Sequence, residues 1–488
     1  MEERKGFGTN FGFLMASVGS AVGLGNIWGF PNKMGASGGF TFLIVYLVLA
    51  VLCGFIVMVS ELALGRKTGK GVVSAYQALS KRFKWVGWLG ILSPFFILFF
   101  YCALGGYCIK YTILNIGDLF HASFGANALA ETAVANGHSL GAEVFGTFMA
   151  NPTEAVIFGL IFVALTMLIV MGGVSGGIEK VCSVGMPALF VMLLICIIRA
   201  CTLEGAVDGL KYMFVPGWAV ANGVIDKAPN FFGVLSAAGG QMFFSLSLGM
   251  GIMITYGSYL DKKENLQKNA LLIIIMDTLV ALMAGLCVIP GRFALDPTGS
   301  LGGPKLLFVT MQNVFSRMGP IGPIFGILFY LLVVFAAISS SISLLEAVVA
   351  HFVDNARDAG KGDKRKAYAL IGAVAVGVGA MLICADSLGD ASFTPWRLLN
   401  LPAESIRTWN DCWLDFFDML SEGIMMPLGA LMMTLMVGWE LGPDVVKDEC
   451  EASGHAMASY GFYKVCVKYI TPLCMILVLY GQIKEFFF

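Results

Sequence analysis

The chain has 488 residues, of which 58 % are hydrophobic and only 13 % charged, with a mean hydropathy of +0.81 and a formal net charge of −1. That balance excludes a soluble enzyme and a nucleic-acid binder, which needs a basic face, and leaves a single integral membrane domain. The twelve cysteines are scattered, mostly inside apolar runs, without the spacing of a metal site or a disulfide framework.

Apolar runs long enough to cross about 30 Å of hydrocarbon predict eleven spans, at 11–36, 39–65, 86–119, 155–172, 181–200, 230–259, 267–290, 321–353, 367–384, 413–439 and 461–484. The first lacks the short apolar core and cleavage site of a signal peptide and is kept as a mature helix. Arg66, Lys67, Lys70, Lys81, Arg82 and Lys84 after the second span, and Arg357, Lys361, Lys364, Arg365 and Lys366 after the eighth, mark a cytoplasmic face. The 121–153 loop has no Lys or Arg and falls on the other face, so the N-terminus is expected inside and the C-terminus outside. Pro304 to Phe315 has helical spacing but is too short to cross, and reads as a re-entrant or capping hairpin on the outside. GGVSGG at 172–177 lacks the GK[ST] ending of a phosphate loop and is not a nucleotide site.

The first span carries GSAVGLGNIWGFP (19–31), and the sixth carries SLSLGMG (245–251). Glycine loosens a membrane helix and proline removes a donor, and such breaks are tolerated where the freed backbone lines a site. Gly19 to Gly25 is therefore expected to be unwound. The glycines also fit close helix packing by small-xxx-small spacing. Asp277 lies mid-span with no basic residue within two turns, so either it is protonated or a cation sits beside it. Glu61 and Asp418 lie near span ends, where snorkelling competes with a functional role. Ser339, Ser340, Ser341 and Ser343 form a hydroxyl run; they either back-bond to their own helix or join freed carbonyls, Asn26 and a carboxylate in an all-oxygen shell suited to an alkali ion. Phe100, Tyr101, Phe243 and Phe244 are placed to wall an organic ligand or to fill core.

With GSAVGLGNIWGFP, GGIEKV (176–181), QMFFSLSLGMGIMITYGSY (241–259), DTLVALMAG (277–285) and the SSS of span eight in hand, the chain resembles the neurotransmitter:sodium symporter family, in its eleven-span bacterial branch of amino-acid transporters. Paired interruptions are themselves a property of that family and add no independent support. The resemblance implies an all-α membrane protein of two inverted five-helix repeats, at 11–200 and 230–440, with spans one and six unwound at the midplane and a peripheral helix at 461–484. By position it implies a first sodium at the Ala21 carbonyl, Asn26, Ser245 and Asp277, together with the substrate carboxylate. A second would lie at the carbonyls of Gly19, Val22 and Ala336 and the hydroxyls of Ser339 and Ser340. The substrate carboxylate would meet the amides of Leu24 and Gly25 and the Tyr101 hydroxyl. The amine would meet the carbonyls of Ala21, Phe244 and Ser245 and the Ser247 hydroxyl. Ile97, Leu104, Met250, Ser340 and Leu344 complete the implied pocket. Gly23 stands where amine-transporting relatives carry an Asp, which favours a substrate with its own carboxylate.

Two positions depart from the family pattern. Its first-span Arg, which pairs outward with the equivalent of Asp418, is Gly29 here, with Lys33 one turn on either as a replacement toward Asp418 or Asp415 or as a surface side chain pointing to lipid headgroups. Its N-terminal Trp is Phe7, while Arg4, Asp354, Ser258, Tyr259 and Glu346 remain for an inner gate. Asp277 replaces the sodium-coordinating Asn of chloride-dependent animal relatives, and Ala281 offers no chloride ligand. The expectation is a sodium-coupled importer of a neutral, hydrophobic or aromatic L-amino acid in a bacterial inner membrane. It is expected to be chloride-independent, to exchange protons on the return step, and to need no organic cofactor, nucleic acid or obligatory protein partner. A channel would need rings of residues from an oligomer, and a hydrolase a nucleophile beside a His or acidic dyad; neither pattern is present.

Overall fold

Backbone in lipid must satisfy its own hydrogen bonds, and the apolar runs accordingly fold as helices. The computed structural model describes residues 7–297, 303–362, 364–390, 393–398, 400 and 411–487, and all regular structure among them is helical. The first expected span is two helices, α1 (Asn10–Ala21) and α2 (Gly25–Ala36), bent by 44°. There follow α3 (Phe40–Thr68), α4 (Val86–Leu119), α5 (Pro152–Met171) and α6 (Val174–Cys201). The 230–259 segment forms α7 (Phe231–Ser245) and α8 (Ile252–Gly257). Then come α9 (Leu266–Leu295), α10 (Gly319–Asp358), α11 (Arg365–Gly389), α12 (Trp413–Glu440) and α13 (Tyr460–Lys484). Among the described residues nine helices are long and apolar enough to cross a membrane, and the bent α1–α2 pair makes a tenth. α7 and α8 are each too short to cross alone.

Burial sorts these helices. In its most apolar window α4 is 78 % buried, against 33 % for α5 and 28 % for α6. α5 turns Ile157, Ile161, Leu165 and Leu168 outward at helical spacing, as a lipid-facing stripe does. The polar residues singled out above sit on α2 (Asn26), α3 (Glu61), α4 (Tyr101), α9 (Asp277), α10 (the hydroxyl run) and α12 (Asp418), and α4 and α10 share the largest helix–helix interface. The Pro304 to Phe315 stretch forms two short helices, Leu306–Thr310 and Met311–Arg317. Trp28 Nε1 donates to the Gly303 carbonyl (3.1 Å), and Gly303 N–H to Asn32 Oδ1 (2.7 Å), so this hairpin is tied to α2. Asn313 accepts the Gly141 N–H at 2.7 Å, which puts the 121–153 loop at the same end of the bundle.

Candidate functional site

The first break is shorter than expected. Gly19 to Ala21 stay helical, and the Val22 N–H still reaches the Val18 carbonyl (2.6 Å) before the backbone turns extended at Val22 (ψ 99°). Few bonds need replacing, and side chains supply them. Asn26 Oδ1 accepts the Gly23 N–H (3.1 Å), and the Tyr101 hydroxyl accepts the Leu24 N–H (2.7 Å). The chain then resumes as a π-helical turn, Gly25–Gly29, that runs on into the α-helical remainder Phe30–Ala36, with Pro31 just past the join.

At the second break Ser247 (φ 54°), Gly249 (φ 75°) and Gly251 (φ 72°) take left-handed backbone, costly for Ser247 and free for the glycines. Ser247 Oγ donates to the Ser20 carbonyl across the gap (2.9 Å), so the two breaks face each other. Glu61 Oε1 accepts the Gly249 N–H at 2.8 Å. Glu61 is 2 % exposed, which overturns snorkelling: the freed amides of the second break give its carboxylate a partner that the membrane interface would otherwise provide.

Two oxygen clusters flank the breaks. Asp277, fully buried, accepts from Asn26 Nδ2 (2.7 Å), Ser245 Oγ (2.9 Å) and the Tyr46 hydroxyl (3.3 Å). On the other side, Ser340 Oγ lies 3.2 Å from the Gly19 carbonyl, 3.0 Å from Ser20 and 3.4 Å from Val22. Ser339 Oγ lies 2.9 Å from the Ala336 carbonyl and 3.4 Å from Val22. The hydroxyl run thus bonds partly within its own helix and partly across to α1. Tyr46 and Ser20 carried no sequence signal, since a Tyr in an apolar run and a Ser beside glycines look like packing residues.

Between the clusters, Ser20, Ala21, Gly25, Ile97, Tyr101, Phe244, Ser247, Met250, Ser340 and Leu344 line a closed cavity with room for about one water molecule. Most of the expected pocket is gathered here. Leu24 reaches it through its amide on Tyr101, and Gly23 abuts Tyr101 and Ser340. Leu104 and Ser245 are buried but do not line this cavity. Aliphatic and aromatic side chains share this lining with the hydroxyls of Ser20, Tyr101, Ser247 and Ser340.

Toward the hairpin end, Lys33 pairs with Glu422, a partner the helical spacing did not point to. Glu422 is one turn past Asp418 and inside a π-helical turn, Met419–Met425, whose wider winding reorients the side chains after Asp418. Asp418 itself contacts Glu422 and lies within electrostatic reach of Lys33. A Cβ at Gly29 would stand 2.8 Å from Gln241 Oε1, so Gln241 backs the position of the family's arginine. At the opposite end, the Tyr259 hydroxyl donates to Glu346 (2.7 Å), which also pairs with Arg365. Phe7 packs edge-on against Phe13, Tyr256 and Tyr259. Asp354 accepts the Gly71 N–H (2.9 Å), while Arg4 lies outside the described residues. Ser258 donates to the Thr255 carbonyl.

The sequence profile of the sodium:neurotransmitter symporter family matches residues 4–127 and 149–394. The sodium-dependent transporter YhdH of Bacillus subtilis is 32 % identical over 483 residues, covering 96 % of each chain. A sodium-dependent transporter of Methanocaldococcus jannaschii is 29 % identical, covering 91 % of this chain and 84 % of its own. Among solved structures, the crystal structure of MhsT in complex with L-phenylalanine matches with a TM-score of 0.82 at 31 % identity, covering 98 % of this chain and 100 % of MhsT.

Proposed function

The chain belongs to the sodium:neurotransmitter symporter family, and on that premise we propose that it imports a neutral, hydrophobic or aromatic L-amino acid with sodium by alternating access. Membership makes it a sodium-dependent, multi-pass membrane transporter and not an enzyme. The substrate reading is carried by the cavity between the breaks, where Ile97, Phe244, Met250 and Leu344 face the Tyr101 hydroxyl and the Gly25 backbone. It is supported by the L-phenylalanine in MhsT. A binding screen of the twenty amino acids with and without sodium tests it. Phe, Trp, Tyr or Leu should bind better than Gly or Ala, and a preference for Gly overturns the reading.

We assign one sodium to the Ala21 carbonyl, Asn26, Ser245 and Asp277, and another to the carbonyls of Gly19, Val22 and Ala336 with Ser339 and Ser340. Each ion moving inward is worth about 2.3 kcal/mol per 100 mV of membrane potential, before its concentration gradient counts. The repeats fall at 11–200 and 230–440 in this reading, with the chain in a bacterial inner membrane, N-terminus inside and C-terminus outside. Ser340→Ala removes one of two hydroxyls from the second cluster. A net hydrogen-bond term of about 1 kcal/mol makes the expected shift in half-saturating sodium roughly fivefold. An unchanged sodium titration of substrate binding overturns the assignment.

Asp277 places a fixed negative charge where a mobile anion would otherwise offset the cations. Uptake into proteoliposomes should therefore be equal in sodium gluconate and sodium chloride; collapse without chloride defeats this. On the return step a proton would meet the charge that sodium leaves, giving proton antiport, which alkalinisation inside loaded proteoliposomes during uptake would report.

A further inference from the structure

The glycine-rich stretch 172–177, which binds no nucleotide, has a structural task. Gly173 is left-handed (φ 79°), and a Cβ at Gly177 would stand 2.1 Å from the Ile169 carbonyl oxygen, so the turn between α5 and α6 closes too tightly for side chains. Its π-helical turn, Val174–Ile178, runs directly into Glu179. The Glu179 carboxylate crosses to the start of α1. Gly8 N–H donates to Oε2 (2.7 Å), and the Thr9 hydroxyl donates to Oε1 (2.9 Å) while accepting the Gly12 N–H as helix cap (2.9 Å). A Cβ at Gly12 would lie 2.0 Å from Glu179 Oε1, so the carboxylate occupies the space that a side chain there would take.

α1 is a short rod, joined to α2 only through the break at Val22 to Leu24, and its sequence NFGFLMASVGSA has no charge of its own at either end. An anion beside its N-terminus favours the positive end of its dipole, and this one also holds the Gly8 amide ahead of the cap and the capping hydroxyl of Thr9. At the far end of the rod, Gly19 lies against Cys182 and Met186 of α6, with an added Cβ at 3.2 and 3.3 Å from their sulfurs, and its carbonyl joins the Ser340 cluster. α6 thus runs beside α1 from Glu179 to Met186.

We infer that Glu179 is the latch that pins the N-terminal end of α1 to α6 and so keeps α1 closed over Cys182 and the Gly19 side of the Ser339–Ser340 cluster. The inference rests on the alternating-access reading. Glu179 touches neither ion nor substrate and is a positioning residue. Charge-assisted bonds suit the task, being strong when formed yet open to replacement by water once the end of the rod is wetted.

Cys182 supplies a native probe, because it is 1 % exposed and lies under α1 beside Gly19. The full-length protein in inside-out vesicles is treated with a membrane-impermeant maleimide, and the labelling rates of Cys182 and of Cys102, buried in α4, are read by peptide mass spectrometry. Sodium should slow Cys182 labelling in the native protein. Glu179→Ala should raise the Cys182 rate at least tenfold, since each charge-assisted hydrogen bond lost is worth about 1.5–3 kcal/mol before screening at this partly exposed end of the rod. Gly12→Ala, which displaces the carboxylate without removing it, should do the same, and Glu179→Gln should fall between. Cys102 should not change. Native rates in both alanine variants, with sodium still protecting the native protein, overturn the latch; so does a parallel rise at Cys102, which marks general loosening. Acceleration at Cys182 alone, with no sodium effect in any form, keeps the latch and removes the sodium-coupled reading.

Discussion

Asp277→Ala should abolish sodium-dependent substrate binding, with half-saturating sodium raised by about two orders of magnitude or more. Three donors converge on this carboxylate, from Asn26, Ser245 and Tyr46, and it is fully buried. Truncation leaves them facing a void, at roughly 1–3 kcal/mol for each unsatisfied group, and removes the one full negative charge among the ligands proposed for the first ion. Asp277→Asn separates these effects. It preserves volume and one acceptor oxygen, so it should fold, yet it lacks the charge. A hydrogen bond or ion contact to a charged group is worth about 1.5–3 kcal/mol, so a loss of roughly 10- to 100-fold in apparent sodium affinity is expected from the charge alone. Isothermal titration with substrate at graded sodium measures both. If Asp277→Asn binds substrate with native sodium dependence, Asp277 is a structural hub for Tyr46 and Ser245 and not an ion ligand.

The two breaks were legible from residue types, because Gly, Ser and Pro inside apolar runs carry a backbone cost that must be met locally. Their length was not legible. The first break spans Val22 to Leu24 because Asn26 and Tyr101 restore bonds across it, and Tyr101 comes from α4, 77 residues away. Charged partners were the least visible. Lys33 was expected toward Asp418 on helical spacing, and Glu422, in a π-helical turn at Met419–Met425, joins it as well. No hydropathy pattern marks such a turn. Glu61 was read from its distance to a span end, whereas its position is set by the Gly249 amide in the second break. Arg365, read only as one of a cytoplasmic basic run, joins Tyr259 at Glu346. Periodicity reports which face of a helix is apolar; it does not report which helix that face meets.

Gly23→Ala should abolish substrate binding and weaken the second ion together, a double loss that a pocket-wall change such as Met250→Leu should not give. In the closed cavity a Cβ at position 23 would stand 2.1 Å from the Tyr101 hydroxyl oxygen and 2.2 Å from Ser340 Oγ, with Ser340 Cβ at 3.0 Å. Neither neighbour can retreat cheaply. Tyr101 is 3 % exposed and holds the Leu24 N–H, and Ser340 is fixed among the Gly19, Ser20 and Val22 carbonyls. Overpacking of this kind costs about 1–3 kcal/mol in a well-packed core, which a bundle of this size survives as a fold. The site does not survive it, because moving Tyr101 releases an amide at the break and moving Ser340 removes a proposed ion ligand. The expected result is at least about a 100-fold loss of amino-acid affinity, with half-saturating sodium rising as in Ser340→Ala, about fivefold. Gly23→Asp adds a buried charge beside the substrate carboxylate, and should fail to bind zwitterionic amino acids at any sodium concentration. Substrate affinity and sodium titration are read on the same detergent-purified protein, with thermal unfolding as the check on folding. Native affinity for the amino acid in Gly23→Ala would mean that substrate does not bind in the space between Tyr101 and Ser340.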